Sequence, residues 1–379
     1  MKYYIIAGES SGDLHGANLI RELAKQQGSD VQFRVVGGDR MEQASQQKAV
    51  LHVRDMSFMG FVEVLLNLKS ILKNLKIVKK DLLAYRPDAL VLIDFPGFNL
   101  KIASFAKQHN IKVFYYISPK VWAWNTGRVK KIKRIVDHMF CILPFEVDFY
   151  KHWNMHVDYV GNPLLDAVTL HHPDTTFKAR YGLEGKKIIA LLPGSRKMEI
   201  SKLLPEMVKL AKLFPGHQFV IAGAPNLNTH FYRQFLDNDN IPLVFGQTYD
   251  LLQHAEAAVV ASGTATLETA LLNVPQVVVY KANALSIAIG RMVIKVDYIS
   301  LVNLIMNKEI VKELIQKEAN HHTIAEELDQ LLNNKAYREE MLAQYKSLHE
   351  RMGLPGASPK VAQHILRYLQ QGTPKRDSH

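Results

Sequence analysis

Apolar residues fall in short, nearly unbroken runs at 2–7, 31–36, 89–93, 112–117 and 139–143, with a further short run at 157–160 before Gly161. Runs of that length, rich in Val, Ile, Leu and aromatic residues, predict strands covered on both faces, as in a parallel sheet. The stretches between them, such as 13–26 and 63–85, space their apolar residues at helical intervals. The alternation restarts with strands at 187–192, 218–222, 243–245, 257–260 and 276–280. Two such series predict an α/β chain of two doubly wound, Rossmann-like domains, at 1–165 and 166–345. The join is placed in 166–181, with His171-His172-Pro173-Asp174 read as a linker. Residues 320–368 read as helical, and 346–379 as a C-terminal helix and tail free to return to the first domain.

In open sheets of this kind, ligands sit beyond the carboxyl ends of the strands. The Gly-rich and polar segments of this chain fall at those ends. Leu191-Leu192-Pro193-Gly194-Ser195-Arg196 and Ala261-Ser262-Gly263-Thr264-Ala265-Thr266-Leu267-Glu268 each read as a strand, a Gly/Ser turn and a helix start. Such a turn presents backbone N–H groups and the positive helix end to a phosphate. Arg196 adds a charged donor, and Glu268, one turn into its helix, is placed to accept from sugar hydroxyls. The pair points to a nucleotide-sugar site.

In the first half, Gly8-Glu9-Ser10-Ser11-Gly12-Asp13 matches neither a dinucleotide fingerprint nor a Walker A loop. It reads equally as a turn capped by Ser11 or Asp13 and as a substrate wall in which Glu9 offers a carboxylate. Asp94, ending a strand before Phe95-Pro96-Gly97, is a candidate general base or a helix cap. Trp122 and Trp124, with Lys120 between strand and helix, resemble a binding wall more than core. No H-E-x-x-H, paired Cys motif or D-x-D triplet is present, so no metal or cofactor is expected. The His171-His172 and His321-His322 pairs are read as structural, and Cys141 as a buried apolar residue.

Composition narrows the partners. The 379 residues carry a net charge of +11 and 47% hydrophobic residues, which suits a folded protein with an anionic partner. No apolar run approaches the ~20 residues of a membrane-spanning helix, and a single cysteine fits a reducing compartment. Phe58, Met59, Phe61, Val62 and Leu65 form an unusually continuous apolar segment ahead of Lys69, Lys73, Lys76, Lys79 and Lys80. That pattern fits either a core helix with a basic outer face or an interfacial patch on acidic lipid.

Taken in order, nine segments resemble one family, the bacterial lipid-A-disaccharide synthases, which are inverting GT-B glycosyltransferases of family 19. They are GESSGD from Gly8, FMGFVEVL from Phe58, IDFPGFN from Ile93, SPKVWAW from Ser118, PFE from Pro144, LLPGSR ending at Arg196, SGTATLE ending at Glu268, DYISLVNLI from Asp297 and VKELIQ from Val311. The resemblance implies two Rossmann-like domains facing a central cleft. It also implies transfer of a sugar from UDP-2,3-diacylglucosamine to 2,3-diacylglucosamine 1-phosphate (lipid X), giving the β-1,6 disaccharide 1-phosphate and UDP. Asp94 matches the family's base and Glu9 a position tied to activity. Gly194, Ser195, Arg196, Ser262, Gly263, Thr264 and Glu268 match the UDP-sugar side, with Asn303 and Gln316 in cleft motifs. The implied setting is cytoplasmic, peripheral on the inner face of the inner membrane, with no nucleic-acid partner, no metal, and room for a homo-oligomer. Asn162 replaces a usual histidine and Val302 a frequent proline. The alternatives are another GT-B transferase using a UDP-sugar and a lipid acceptor, and a non-enzymatic basic protein with a clustered basic face and no nucleotide pocket.

Overall fold

The computed structural model describes residues 1–56, 68–236, 241–282 and 297–371. The chain divides into two compact units: Met1–Pro163 together with the chain from Leu354 onward, and Leu164–Gly353. Among the described residues no helix is long and apolar enough to cross a membrane.

The first unit is built on β1 (Lys2–Ala7), β2 (Gln32–Val36), β3 (Ala89–Ile93), β4 (Lys112–Tyr116), β5 (His138–Cys141) and β6 (Asp158–Tyr159). All pair in parallel, in the order β2-β1-β3-β4-β5-β6. Alternate side chains feed two different cores. Tyr4, Ile6, Leu90, Leu92, Val113 and Tyr115 pack on one face, and Tyr3, Ile5, Val91, Ile93, Phe114 and Tyr116 on the other. This two-sided burial is why the strands read as unbroken apolar runs. The first face is covered by the helices Leu68–Tyr85, Pro96–Gln108 and Arg128–Ile135. On the second face lie Ser10–Gln27 and the C-terminal helix Ala357–Gln370, which contributes Val361, Ala362 and Ile365. Tyr368 of that helix stacks on His138 at 3.4 Å between centroids and donates to Asp158 Oδ2 at 2.9 Å.

The second unit repeats the plan with β7 (Lys187–Leu192), β8 (His217–Gly223), β9 (Leu243–Phe245), β10 (Ala255–Ala261), β11 (Gln276–Tyr280) and β12 (Glu313–Ile315). The order is β12-β11-β10-β7-β8-β9, again all parallel. Helices follow the strands, among them Lys197–Leu213, Thr264–Leu271, His321–Asn333 and Lys335–Met352.

Three readings change. The first helix starts at Ser10, so the turn after β1 is only Gly8-Glu9. Asp13 does not cap its own helix; its carboxylate accepts from the backbone N–H groups of Gly38 (2.6 Å), Met41 (3.1 Å) and Arg40 (3.2 Å), capping the helix Asp39–Ser45. The segment 171–174 is no linker: His171 Nε2 and the Asp174 N–H both meet Asp250 Oδ1, at 3.0 and 2.7 Å, inside the second unit.

Candidate active site

In the first sheet the chain leaves β1 toward β2 on one side and β3 toward β4 on the other. The gap between the carboxyl ends of β1 and β3 is therefore the topological switch point, where doubly wound sheets bind ligands. Glu9 follows β1 there and Asp94 follows β3. Asp94 and Phe95 both adopt left-handed backbone, with φ of 45° and 48°. Each such non-glycine residue is strained and persists only where its surroundings over-determine it. Those surroundings are visible. The Asp94 N–H donates to the Tyr116 carbonyl at 3.0 Å, and the Asp94 carbonyl accepts from Tyr115 Oη at 2.6 Å and Asn99 Nδ2 at 2.8 Å. Phe95 lies over Gly8, where a Cβ would come within 2.2 Å of the ring, so only glycine fits beneath it. The helix Pro96–Gln108 has Phe95 as its N-cap and no side-chain cap, so Asp94 does not serve as that cap.

Burial first, and then the nearby Glu9 charge, raise the Asp94 carboxyl, while Lys120 and the Phe95 N–H pull it down, leaving it at about 6. The result is a carboxylate that is charged at neutral pH yet basic enough to accept a proton. Lys120 is exposed at the N-cap of the short helix Val121–Trp124. Trp122 is not a binding wall. It is buried, and its indole Nε1 donates to Glu146 Oε1 at 3.1 Å, while the Leu143 N–H donates to Glu146 Oε2 at 3.1 Å. Burial pushes the Glu146 carboxyl up to about 7. Ser118 Oγ shares a 2.7 Å hydrogen bond with Tyr150 Oη, and the Trp122–Glu146 bond ties the SPKVWAW segment to PFE.

In the second sheet the switch point lies between β7 and β10. A cavity of about 440 Å³ opens there, lined by Gly194 and Ser195 after β7 and by Ser262, Gly263, Thr264 and Glu268 after β10. Gly194 has φ of 107°, and a Cβ on it would lie 2.8 Å from Glu199 Oε2, so the turn admits no other residue without strain. Ser262 Oγ donates to the Ile299 carbonyl at 3.0 Å. Glu268 accepts from Tyr249 Oη at 2.6 Å; burial raises its carboxyl and the Tyr249 hydroxyl opposes that.

The other candidates stand apart. Arg196 is the N-cap residue of the helix Lys197–Leu213, is exposed, and does not itself line the cavity, but reaches Oε1 of the cavity residue Glu199 at 3.4 Å. Asn303 is wholly buried and fully engaged. Its Nδ2 donates to the Val311 carbonyl (2.9 Å) and Glu313 Oε1 (2.8 Å), and its Oδ1 accepts from the N–H groups of Ile310 (2.8 Å) and Val311 (3.0 Å). Gln316 has φ of 59° and a buried Nε2 with no partner among the described residues. Neither lines the cavity. Asn162, in place of the usual histidine, is buried and donates to the Ile142 carbonyl at 3.1 Å; Val302 is core. Phe58, Met59, Phe61, Val62 and Leu65 lie outside the described residues. Among the described residues no group of three or more His, Cys, Asp or Glu could hold a metal ion. The cavity also takes His171, Glu199 and Tyr249, which the motifs did not bring forward. Tyr249 follows β9 and was open to the carboxyl-end rule; nothing in the pattern marks His171.

The Asp94 proton is held more tightly in the folded chain than in the unfolded one. Stability therefore falls as pH rises from about 4 through about 6, where only the unfolded state is deprotonated. Asp94→Asn removes that cost. The variant is expected to melt above wild type at pH 7.5, by at most about 3 kcal/mol, and to match it near pH 4. Equal melting at both pH values contradicts the assignment.

Comparison with known proteins follows the same lines. The fold matches UDP-GlcNAc 2-epimerase from Neisseria meningitidis with a TM-score of 0.69 at 16% identity, over 97% of this chain and 100% of that one. The S. aureus MnaA–UDP complex matches with a TM-score of 0.69 at 14% identity, over 100% and 99%. At such identities the likeness shows the fold, the paired Rossmann-like units of GT-B proteins. Sequence relatives are nearer. The lipid-A-disaccharide synthase of Syntrophus aciditrophicus (strain SB) is 41% identical over 94% of this chain and 95% of its own. That of Trichlorobacter lovleyi is 39% identical over 97% of each. The family model for lipid-A-disaccharide synthetase matches residues 3–360. Motifs, paired sheets and whole-length relatives converge, and the chain belongs to the lipid-A-disaccharide synthase family.

Proposed function

We propose that the protein is the hexosyltransferase that joins UDP-2,3-diacylglucosamine to lipid X. The observation that carries this reading is Asp94, a half-buried carboxylate with a raised pKa at the switch point of the first sheet. In the proposed reaction Asp94 takes the proton from the 6-hydroxyl of the acceptor as its oxygen attacks the anomeric carbon. The bond from that carbon to the UDP oxygen breaks, and the product is β-1,6-linked. The departing diphosphate carries the developing charge. Backbone N–H groups at the start of the helix Thr264–Leu271, after the Ser262-Gly263 turn, and the exposed Arg196 guanidinium are the groups that would stabilise it. Glu9 keeps Asp94 basic through its own charge. In this reading the first unit takes the acceptor and the second the UDP-sugar. Asn303 acts through the loop it ties to Glu313, and Gln316 through its left-handed turn after β12.

The test is transfer from UDP-2,3-diacylglucosamine to lipid X in detergent with EDTA, run with Asp94→Asn and Arg196→Ala. Wild type is expected to form the disaccharide 1-phosphate. Asp94→Asn should lose turnover by a factor of roughly 10²–10⁴, the usual worth of a general base, while still binding UDP; Arg196→Ala should raise the donor KM and leave the acceptor KM unchanged. Folded, UDP-binding wild type that yields no product would point to another acceptor.

We also propose attachment to an acidic membrane surface, on the inner face of the inner membrane. The helix Leu68–Tyr85 supports this. It exposes Leu68, Leu72 and Leu83 beside Lys76, Lys79 and Lys80, and in the sequence it comes after the apolar segment 58–65, which lies outside the described residues. Basic residues next to exposed leucines suit an anionic interface. Co-sedimentation with phosphatidylglycerol vesicles should fall for Leu72→Ser with Lys76→Ser, with melting unchanged; unaltered sedimentation removes this face from the interface.

A further inference from the structure

The carboxylate of Glu146 is buried in the first unit, behind Trp122, and takes no part in the transfer described above. We propose that Glu146 is a positioning residue for Asp94: it fixes the turn after β4, to which the Asp94 backbone is tied and from which Lys120 extends. This rests on the reading of Asp94 as the base.

The connection runs through short contacts. The Asp94 N–H donates to the Tyr116 carbonyl at 3.0 Å, and the Asp94 carbonyl accepts from Tyr115 Oη at 2.6 Å. The last two residues of β4 thus set where Asp94 stands. The next residue, Ile117, has φ of 65°. A β-branched side chain rarely adopts left-handed backbone, and one that does is held there by its surroundings. Here the hold comes from β5 and the segment that follows it. The Ile117 N–H donates to the Phe140 carbonyl at 3.1 Å, Ser118 Oγ meets Tyr150 Oη at 2.7 Å, and Trp122 Nε1 donates to Glu146 Oε1 at 3.1 Å. Lys120 lies between the last two of these anchors and is exposed. After burial and Glu9, which raise the proton affinity of Asp94, the Lys120 charge lowers it.

Hydrogen counting shows why this position needs a carboxylate. Trp122 Nε1 brings a hydrogen to Oε1 and the Leu143 N–H brings one to Oε2, each at 3.1 Å. Burial raises the Glu146 carboxyl, and donors from Leu143, Trp122, Ser118 and Ile142 oppose it. Two acceptor oxygens suit a ring of donors. An amide of the same shape offers one acceptor and one NH2 group, which sets a donor against a donor. Glu146→Gln therefore frees the turn from Trp122 or from Leu143 with almost no change in packed volume.

The experiment is an NMR titration of the Asp94 carboxyl in wild type, Lys120→Gln, Trp122→Phe, Glu146→Gln and the Trp122→Phe, Glu146→Gln double variant. Melting and transfer from UDP-2,3-diacylglucosamine to lipid X are measured alongside. Lys120→Gln removes the charge itself and should raise the Asp94 midpoint. Glu146→Gln should raise it too, because Lys120 loses its fixed place. It should also lower kcat by up to about 10²-fold, the cost of a misplacement of about 1 Å, with the donor KM unchanged. Trp122→Phe should act in the same direction, and the double variant should match the larger single effect, as residues on one path do. An Asp94 midpoint that stays at or below the wild-type value in Lys120→Gln or Glu146→Gln overturns the proposal, even where melting falls. So do midpoint shifts that add in the double variant. Should Glu146→Gln fail to fold, Trp122→Phe decides by the same midpoint. A wild-type midpoint near 4 overturns the base reading itself, and with it the proposal, and is distinguishable because it needs no variant.

Discussion

A strand buried on both faces has only its ends to offer to chemistry. That constraint governs this protein twice. In each unit the parallel sheet is sealed by helices, so its side chains are committed to packing. Polar groups that must meet a substrate are pushed to the carboxyl edge, where the helix starts also point. Within each sheet, the connections diverge at one place only, between β1 and β3 or between β7 and β10. Glu9 and Asp94 occupy the first of these places, and the Gly194 and Ser262–Thr264 turns the second.

The two edges use the same physics in opposite directions. At the first, desolvation and a like charge make a carboxylate hold its proton more tightly than usual, as the proposed base role requires. The left-handed Asp94-Phe95 backbone fixes where that carboxylate sits, and the absent side chain of Gly8 leaves the space Phe95 needs. At the second, exposed N–H groups and small residues leave room for an anion. Beneath the first edge, the Trp122–Glu146 and Ser118–Tyr150 contacts satisfy buried polar groups that would otherwise destabilise the turn.

Much of this was legible in the sequence. The strands β1, β3, β7, β9 and β11 fall where the apolar runs place them, because each run ends at a glycine, proline or charged residue. β12 escaped notice: three residues at a sheet edge carry too little pattern. Asp94 and the two Gly/Ser turns stood out because chemistry-bearing residues rarely follow an apolar run by chance. What was not legible depends on contacts across long sequence separations. Asp13 looks like a cap for its own helix, but meets the N–H groups of Gly38 and Met41. Trp122 looks like a platform until Glu146 is found behind it. His171 reads as a spacer because Asp250, its partner, lies far along the chain. Asn303 lies in a motif that the resemblance assigns to the substrate side, yet its amide is spent on Val311 and Glu313.

The account turns on Asp94 being a base whose proton affinity is set by its place in the sheet. The most direct measurement is an NMR titration of the Asp94 carboxyl carbon in wild type and in Glu9→Gln, with aspartate labelled and the signal assigned by Asp94→Asn. The account predicts a midpoint of about 6 in wild type, falling when the Glu9 charge is removed. A midpoint near 4 in both proteins would contradict it.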